Sequence, residues 1–193
     1  MNERTPLLDD AVLAAAAKVI AEHGWHEFTL ERVAQAAGIS RVTLYRKGAT
    51  RELLVEALVV GAAQAWQAGL WPALTGPGTA AERLRAALRA SCVVVEQHLS
   101  LLAGLTNAPD PVFHLDGGDT RNVYVAPFER LLHDGLADGS LRATLDPATT
   151  ALLLFNIVPR TYIHLRAAHQ WSPDRTAEAL LDLLMPGVLP ERP

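Results

Sequence analysis

A chain of 193 residues, 50% hydrophobic and 20% charged, is long enough to bury one or two substantial cores and too apolar to be disordered. Its formal net charge of −4 argues against indiscriminate binding to nucleic acid, and its single cysteine excludes an internal disulfide or a multi-cysteine zinc site. The opening MNERTPLLDD has acids where a secretory leader needs a basic start and an apolar run.

Helix signals then follow one another, and the alternation of a strand is nearly absent. LDDAVLAAAAKVIAEHG predicts a first helix that opens at Asp9 and Asp10, carries Val12, Ala16, Val19 and Ile20 on one face, and stops at Gly24. TLERVAQAAG predicts a second, capped by Thr29, with Glu31 in the first turn and Gly38 beyond its end. SRVTLYRK predicts a third, capped by Ser40. TRELLVEALVVGAAQAWQAGLWP predicts a fourth, from Thr50 to Pro72. Glu56 and Gln64 interrupt its apolar run, and Asn156 and Pro159 interrupt ALLLFNIVPR. Neither reaches the roughly 20 apolar residues of a spanning helix, so a cytoplasmic protein without a membrane partner is expected.

The link TGPGT precedes TAAERLRAALRASCVVVEQHL, a fifth helix whose Thr79 and Glu82 have capping-box spacing. SLLAGL predicts a short sixth helix. NAPDPVFHLDGGD reads as a loop in which Asp116 and Asp119 are solvated turn residues. TRNVYVAPFERLLHDGLADG predicts a seventh helix with a kink at Pro127. DPATTALLLFNIVPRTYIHLRAAHQW predicts an eighth, with Asp146 as cap and Pro147 in the first turn, and SPDRTAEALLDLLMPG repeats that device with Ser172 and Pro173. The fold class is therefore all-α, about nine helices without a sheet. Residues 1–50 are expected to form a small head and 51–193 a helical bundle.

Two short helices joined by a glycine turn, the second rich in cations, describe a helix-turn-helix. From Arg41 to Arg51 every charged residue is basic, namely Arg41, Arg46, Lys47 and Arg51, with Glu31 and Glu52 outside the window. A short cationic patch on an acidic body can dock duplex DNA at one face while the rest is repelled. Val33, Ala34, Ala37, Ile39 and Leu44 suit a small core with Val19 and Ile20 behind them. Ser40 caps the third helix, so Arg41, Val42 and Thr43 occupy the turn that enters a major groove. Arg41 then suits guanine O6 and N7, and Thr43 a base edge or a thymine methyl. Tyr45, Lys47, Thr50 and Arg51 are placed for phosphates. Thr29, Ser40 and Arg46 complete the candidate DNA-binding set.

Positions 9–58, above all TLERVAQAAGISRVTLYRKGATRELL, resemble the DNA-binding head of the TetR/AcrR regulators. The likeness rests on Trp25 after HG, the VAQAAGIS turn, TLY, and the cation–Glu–x–Leu opening of the fourth helix. FERLLHDGLADGSLRATLDP, Phe128 to Pro147, resembles the end of that family's seventh helix and the turn after it. The resemblance implies a homodimeric, repressor-type regulator of double-stranded operator DNA, whose larger region binds a small effector and whose last two helices form the dimer interface. One departure stands out: the family has an aromatic where YRKG places Gly48. A buried aromatic contributes on the order of 2–3 kcal/mol, so a looser joint after the third helix is expected unless another side chain fills in.

From Pro72 onward no Ser–His–Asp order, phosphate-binding glycine loop or dinucleotide fingerprint occurs, and no enzymatic activity is expected. His23 with His26 straddles a glycine, and His164 with His169 has i,i+5 spacing that does not share a helical face, so neither a metal nor a cofactor is expected. Trp66, Cys92, Val95, Phe128, Phe155 and Asn156 are the candidate lining of an interhelical pocket for a largely apolar effector. Asn156, an amide inside LLLFNIVP, needs a polar partner if buried. Leu152, Leu153, Phe155, Leu180, Leu181, Leu183 and Leu184 exceed what one core uses and suggest a partner chain. Two rival readings are a regulator with no effector and, less favoured by these motifs, a helical-bundle enzyme.

Overall fold

The computed structural model describes residues 8–105, 121–142 and 146–190, and the loop expected at 107–119, with Asp116 and Asp119, lies outside them. Among the described residues there are nine α-helices and no strand. They are α1 (Asp10–His23), α2 (Leu30–Ala36), α3 (Arg41–Arg46), α4 (Arg51–Thr75), α5 (Ala80–Gln97), α6 (Leu99–Leu105), α7 (Ala126–Asp138), α8 (Pro147–Ala167) and α9 (Pro173–Leu184). Short 3-10 turns at Trp25–Glu27 and Met185–Gly187 and a π turn at Arg121–Val125 join them.

Local chemistry accounts for most of the helix starts. Asp9, Thr29, Ser40 and Asp146 each accept a backbone N–H of the first turn of the helix they precede, which satisfies a donor that the helix itself cannot. Thr79 and Glu82 close a full capping box on α5. Two expectations change. Ser172 precedes α9 but its side chain makes no capping bond; its carbonyl accepts the buried Thr176 hydroxyl at 2.8 Å instead. Pro127 sits in the first turn of α7, after the π turn, so it starts the helix rather than kinking it.

The chain divides into two compact units, one built from Met1–Ala63 with Ser100–Ala108 and the other from Gln64–Leu99 with Pro109–Pro193. In the first, α1 packs on α2 and α2 on α3. Its core holds Val12, Val19, Ile20, Phe28, Val33 and Leu44, all buried. In the second, α5, α7 and α8 pack on one another, and α9 lies against α5 and α8. Phe128, Leu131, Leu84, Leu88, Tyr162 and Leu181 are among its most enclosed large side chains.

α4 departs from expectation. It runs past Pro72 to Thr75, and its 25 residues, with a mean hydropathy of 1.4 over the most apolar window, are long and apolar enough to cross a membrane by length and composition. Alanine and valine raise that value although Glu52, Glu56, Gln64 and Gln67 interrupt the run. The helix belongs to both units.

Candidate nucleic-acid interface

α3 is six residues long and exposes nearly all of them. Leu44 is fully buried, whereas Arg41, Val42, Thr43, Tyr45 and Arg46 face outward. Val42 is 66% and Tyr45 76% exposed, a large apolar and aromatic area on a short helix. The helix is aimed by its neighbours. α2 ends at Ala36, and Gly38 adopts a φ of +68°, a backbone that carries no Cβ penalty only for glycine. Ile39 N–H then reaches back to Ala34 O at 3.0 Å, and Ser40 Oγ accepts Thr43 N–H at 3.0 Å while bonding the Thr43 hydroxyl at 2.9 Å.

Gly48, the departure from the family pattern, adopts a φ of +74° and closes α3 through a bond from its N–H to Tyr45 O at 2.9 Å. Ala49 follows, buried, and donates to Leu44 O at 3.3 Å. A left-handed glycine therefore ends the helix where an aromatic residue would be strained.

The cations of this region fall into two classes. Arg41 and Arg46 have no ion pair or hydrogen bond among the described residues. Lys47 Nζ donates to Asp9 Oδ2 at 2.7 Å, a pair 38 residues apart in sequence. That bond, with the Val12 N–H on the same carboxyl, holds Asp9 below the usual carboxylate range. The Arg51 guanidinium lies 4.8 Å from the Trp25 ring centroid and 5.7 Å from that of Phe28, and its Nε donates to Phe28 O at 3.3 Å. Thr29 and Thr50 are exposed, and their hydroxyl oxygens serve as caps for Arg32 N–H and Leu53 N–H. The structure thus gathers Arg41, Val42, Thr43, Tyr45 and Arg46 on one short helix. It gives Lys47 and Arg51 partners that sequence reasoning missed, since Asp9, Trp25 and Phe28 are close only in space.

In the second unit, Trp66, Phe128 and Phe155 come together, and Tyr124 joins them. Trp66 meets Tyr124, Phe128 and Phe155 edge-on, with centroids 6.0, 6.3 and 6.0 Å away, and Tyr124 stacks on Phe155 at 5.4 Å. The Trp66 indole N–H is buried and has no hydrogen-bond partner among the described residues. Val95 is buried on α5. Cys92 lines a different cleft of about 180 Å³ with Glu96 and Tyr162, and burial pushes its thiol up to about 12, which keeps it protonated. Asn156 satisfies its amide locally, donating to Leu152 O at 2.8 Å. No group of three or more metal-ligating side chains occurs among the described residues.

Residues 12–58 match the family of bacterial regulatory proteins known as the tetR family, and residues 77–188 match the tetracyclin repressor-like C-terminal domain. No curated protein matches the chain. Among solved structures, the ketosteroid transcriptional regulator KstR2 of Mycobacterium tuberculosis is 20% identical with a TM-score of 0.74, over 93% of this chain and 94% of that one. A TetR/AcrR regulator from Thermobifida fusca is 22% identical with a TM-score of 0.74, over 91% and 95%. The regulator FadR from Bacillus subtilis, solved in complex with stearoyl-CoA, is 19% identical with a TM-score of 0.73, over 92% and 97%. With a capped, outward-facing α3 in a helix-turn-helix and both parts of the chain matched, the protein belongs to the TetR family of DNA-binding transcription regulators.

Proposed function

We propose that this regulator is a cytoplasmic repressor that grips a palindromic operator as a homodimer and is released by a small, largely apolar effector. Residues 1–50 carry the DNA contacts and 51–193 the effector site and the dimer interface. The observation that carries the reading is the outward face of α3, where Arg41, Val42, Thr43, Tyr45 and Arg46 stand exposed around one buried leucine. Leu152, Leu153, Ile157 and Leu183 are exposed on α8 and α9, an apolar surface that suits a second copy, while Phe155, Leu180 and Leu181 are spent in the chain's own core. For the effector, the unpartnered Trp66 N–H among three other rings favours an apolar body with one hydrogen-bond acceptor. The acyl group of stearoyl-CoA, which FadR binds, has that chemistry.

The test is selection of bound duplexes from random DNA with the purified chain, followed by compound-induced release. A two-fold symmetric site supports the reading, and recovery of no preferred sequence overturns it. Arg41→Ala is expected to flatten preference at one position per half-site, by about 1–3 kcal/mol, with the rest of the site unchanged. Lys47→Ala is expected to weaken all sites alike and to reduce the salt slope of binding by about one. Asp9→Asn keeps the cap on α1 but frees Lys47 from its pair, so severalfold tighter binding is expected in anisotropy titrations at low salt. An unchanged affinity would remove Lys47 from the phosphate contacts.

A further inference from the structure

We infer that His164 and His169 form a surface chelate for a divalent transition-metal ion of the zinc, copper or nickel class. In a continuous helix the two would face different sides. α8 ends at Ala167, however, and the chain folds back there, with Ala168 N–H donating to His164 O at 2.9 Å and Trp171 N–H to Leu165 O at 3.2 Å. Gln170, inside that turn, has a φ of +53°, the one positive value at a non-glycine among the described residues. Left-handed backbone disfavours any residue with a Cβ, and it persists where the surroundings enforce it.

The surroundings do enforce it. The Arg166 guanidinium is gripped by both oxygens of Glu96, through Nη2 at 2.6 Å and Nε at 2.8 Å, and it also donates to the Trp171 carbonyl. Arg175 covers the Trp171 ring from 3.9 Å. The turn is therefore anchored to α5, and it presents His169 against His164.

The resulting geometry suits chelation. The ring centroids are 4.9 Å apart with planes at 75°, and the two Nε2 atoms are 3.2 Å apart, so both nitrogens are turned inward. With metal–nitrogen bonds of about 2.0–2.1 Å, that separation subtends roughly 100° at the ion, close to tetrahedral and square arrangements alike. Neutral imidazoles favour borderline ions over the hard, oxygen-seeking magnesium and calcium. Both rings are exposed, so an ion enters without opening the fold and water fills its other positions. The competing arrangement is one N–H···N bond between the rings.

The experiment uses the untagged full chain with Cu²⁺ as spectroscopic probe and Zn²⁺ as competitor. At one equivalent of Cu²⁺, electron paramagnetic resonance is expected to show coupling to two imidazole nitrogens, and Zn²⁺ to displace it. In His164→Gln and His169→Gln the two-nitrogen signal disappears and affinity falls by an order of magnitude, whereas His23→Gln retains both. Zn²⁺ raises the thermal midpoint of the parent chain and not that of either α8-turn variant, because binding stabilises only the folded pair. A signal from one nitrogen, or equal affinity in the parent and His169→Gln, would mean that the rings share a proton only.

Discussion

Leu44→Ala is expected to abolish DNA binding by unfolding the head, while Val42→Ala, two residues away, is expected to leave the head folded and weaken binding alone. Leu44 is fully buried and is the one side chain of α3 that faces inward, against the core that also holds Val33, Val19 and Ile20. Removing its branched end costs about 2–5 kcal/mol, through lost burial and the cavity left behind. A small head built on helices of 14, 7 and 6 residues has little stability to spare. Val42 is 66% exposed, and its truncation removes surface that only a partner would cover. Hydrogen exchange distinguishes the two. Amides of α2 and α3 lose protection in Leu44→Ala and keep it in Val42→Ala. Equal protection in both variants would mean that Leu44 does not hold α3, and with it the aim of Arg41 and Thr43 would be lost as an explanation.

What could be read from the sequence was the chemistry that acts over a few residues. Thr29, Ser40, Thr79 with Glu82, and Asp146 with Pro147 are legible because a cap and the amide it accepts lie within three positions. The same holds for Gly38 and for the burial of Leu44, which follows from helical periodicity. Contacts set by the packing of distant segments were not legible. Asp9 meets Lys47 across 38 residues, and Arg51 settles on Trp25 and Phe28 rather than standing free. Tyr124 joins the Trp66 cluster from a π turn that the sequence assigns to the start of the seventh helix. His164 and His169 were assigned to different faces because the spacing rule assumes an uninterrupted helix, and α8 stops between them. Gly48 shows the reverse case. The sequence flagged the missing aromatic, but only the backbone shows that the position is left-handed and therefore suited to glycine.

The cations illustrate how these two levels combine. A count along the chain gives Arg41, Arg46, Lys47 and Arg51 equal standing, yet only the first two are without partners among the described residues. A phosphate contact by Lys47 would require it to leave Asp9, and that pair would then lower the net electrostatic gain of docking. Arg51, with its guanidinium over two rings and its Nε on the Phe28 carbonyl, is better suited to fixing the start of α4 than to a mobile phosphate contact.

Glu96→Ala is expected to be the most damaging polar substitution in the larger unit. Its carboxylate accepts the Tyr162 hydroxyl at 3.0 Å and two guanidinium donors of Arg166, and the same guanidinium reaches the Trp171 carbonyl. Tyr162 is almost fully enclosed, and the Glu96 and Arg166 side chains are 30% and 18% exposed. Removing the acid leaves a buried hydroxyl and a largely buried cation without their acceptor, at a cost of about 2–4 kcal/mol. The Arg166 hydrogen bonds hold the Glu96 carboxyl below its ordinary value near 4.5, against the opposing effect of burial. For an acid depressed in the folded state, the stabilisation is fully present above that ordinary value and is lost as pH falls through the lower folded one. Glu96→Gln keeps the shape and removes the charge, so its urea midpoint should lie below the parent's at pH 7 and approach it as pH falls below about 4.5. Other acids with lowered values, such as Asp138 and Asp146, are common to both chains and cancel in that comparison. A midpoint difference that is constant with pH would mean that the charge of Glu96 contributes nothing, leaving shape alone to link α5, α8 and the turn at Trp171.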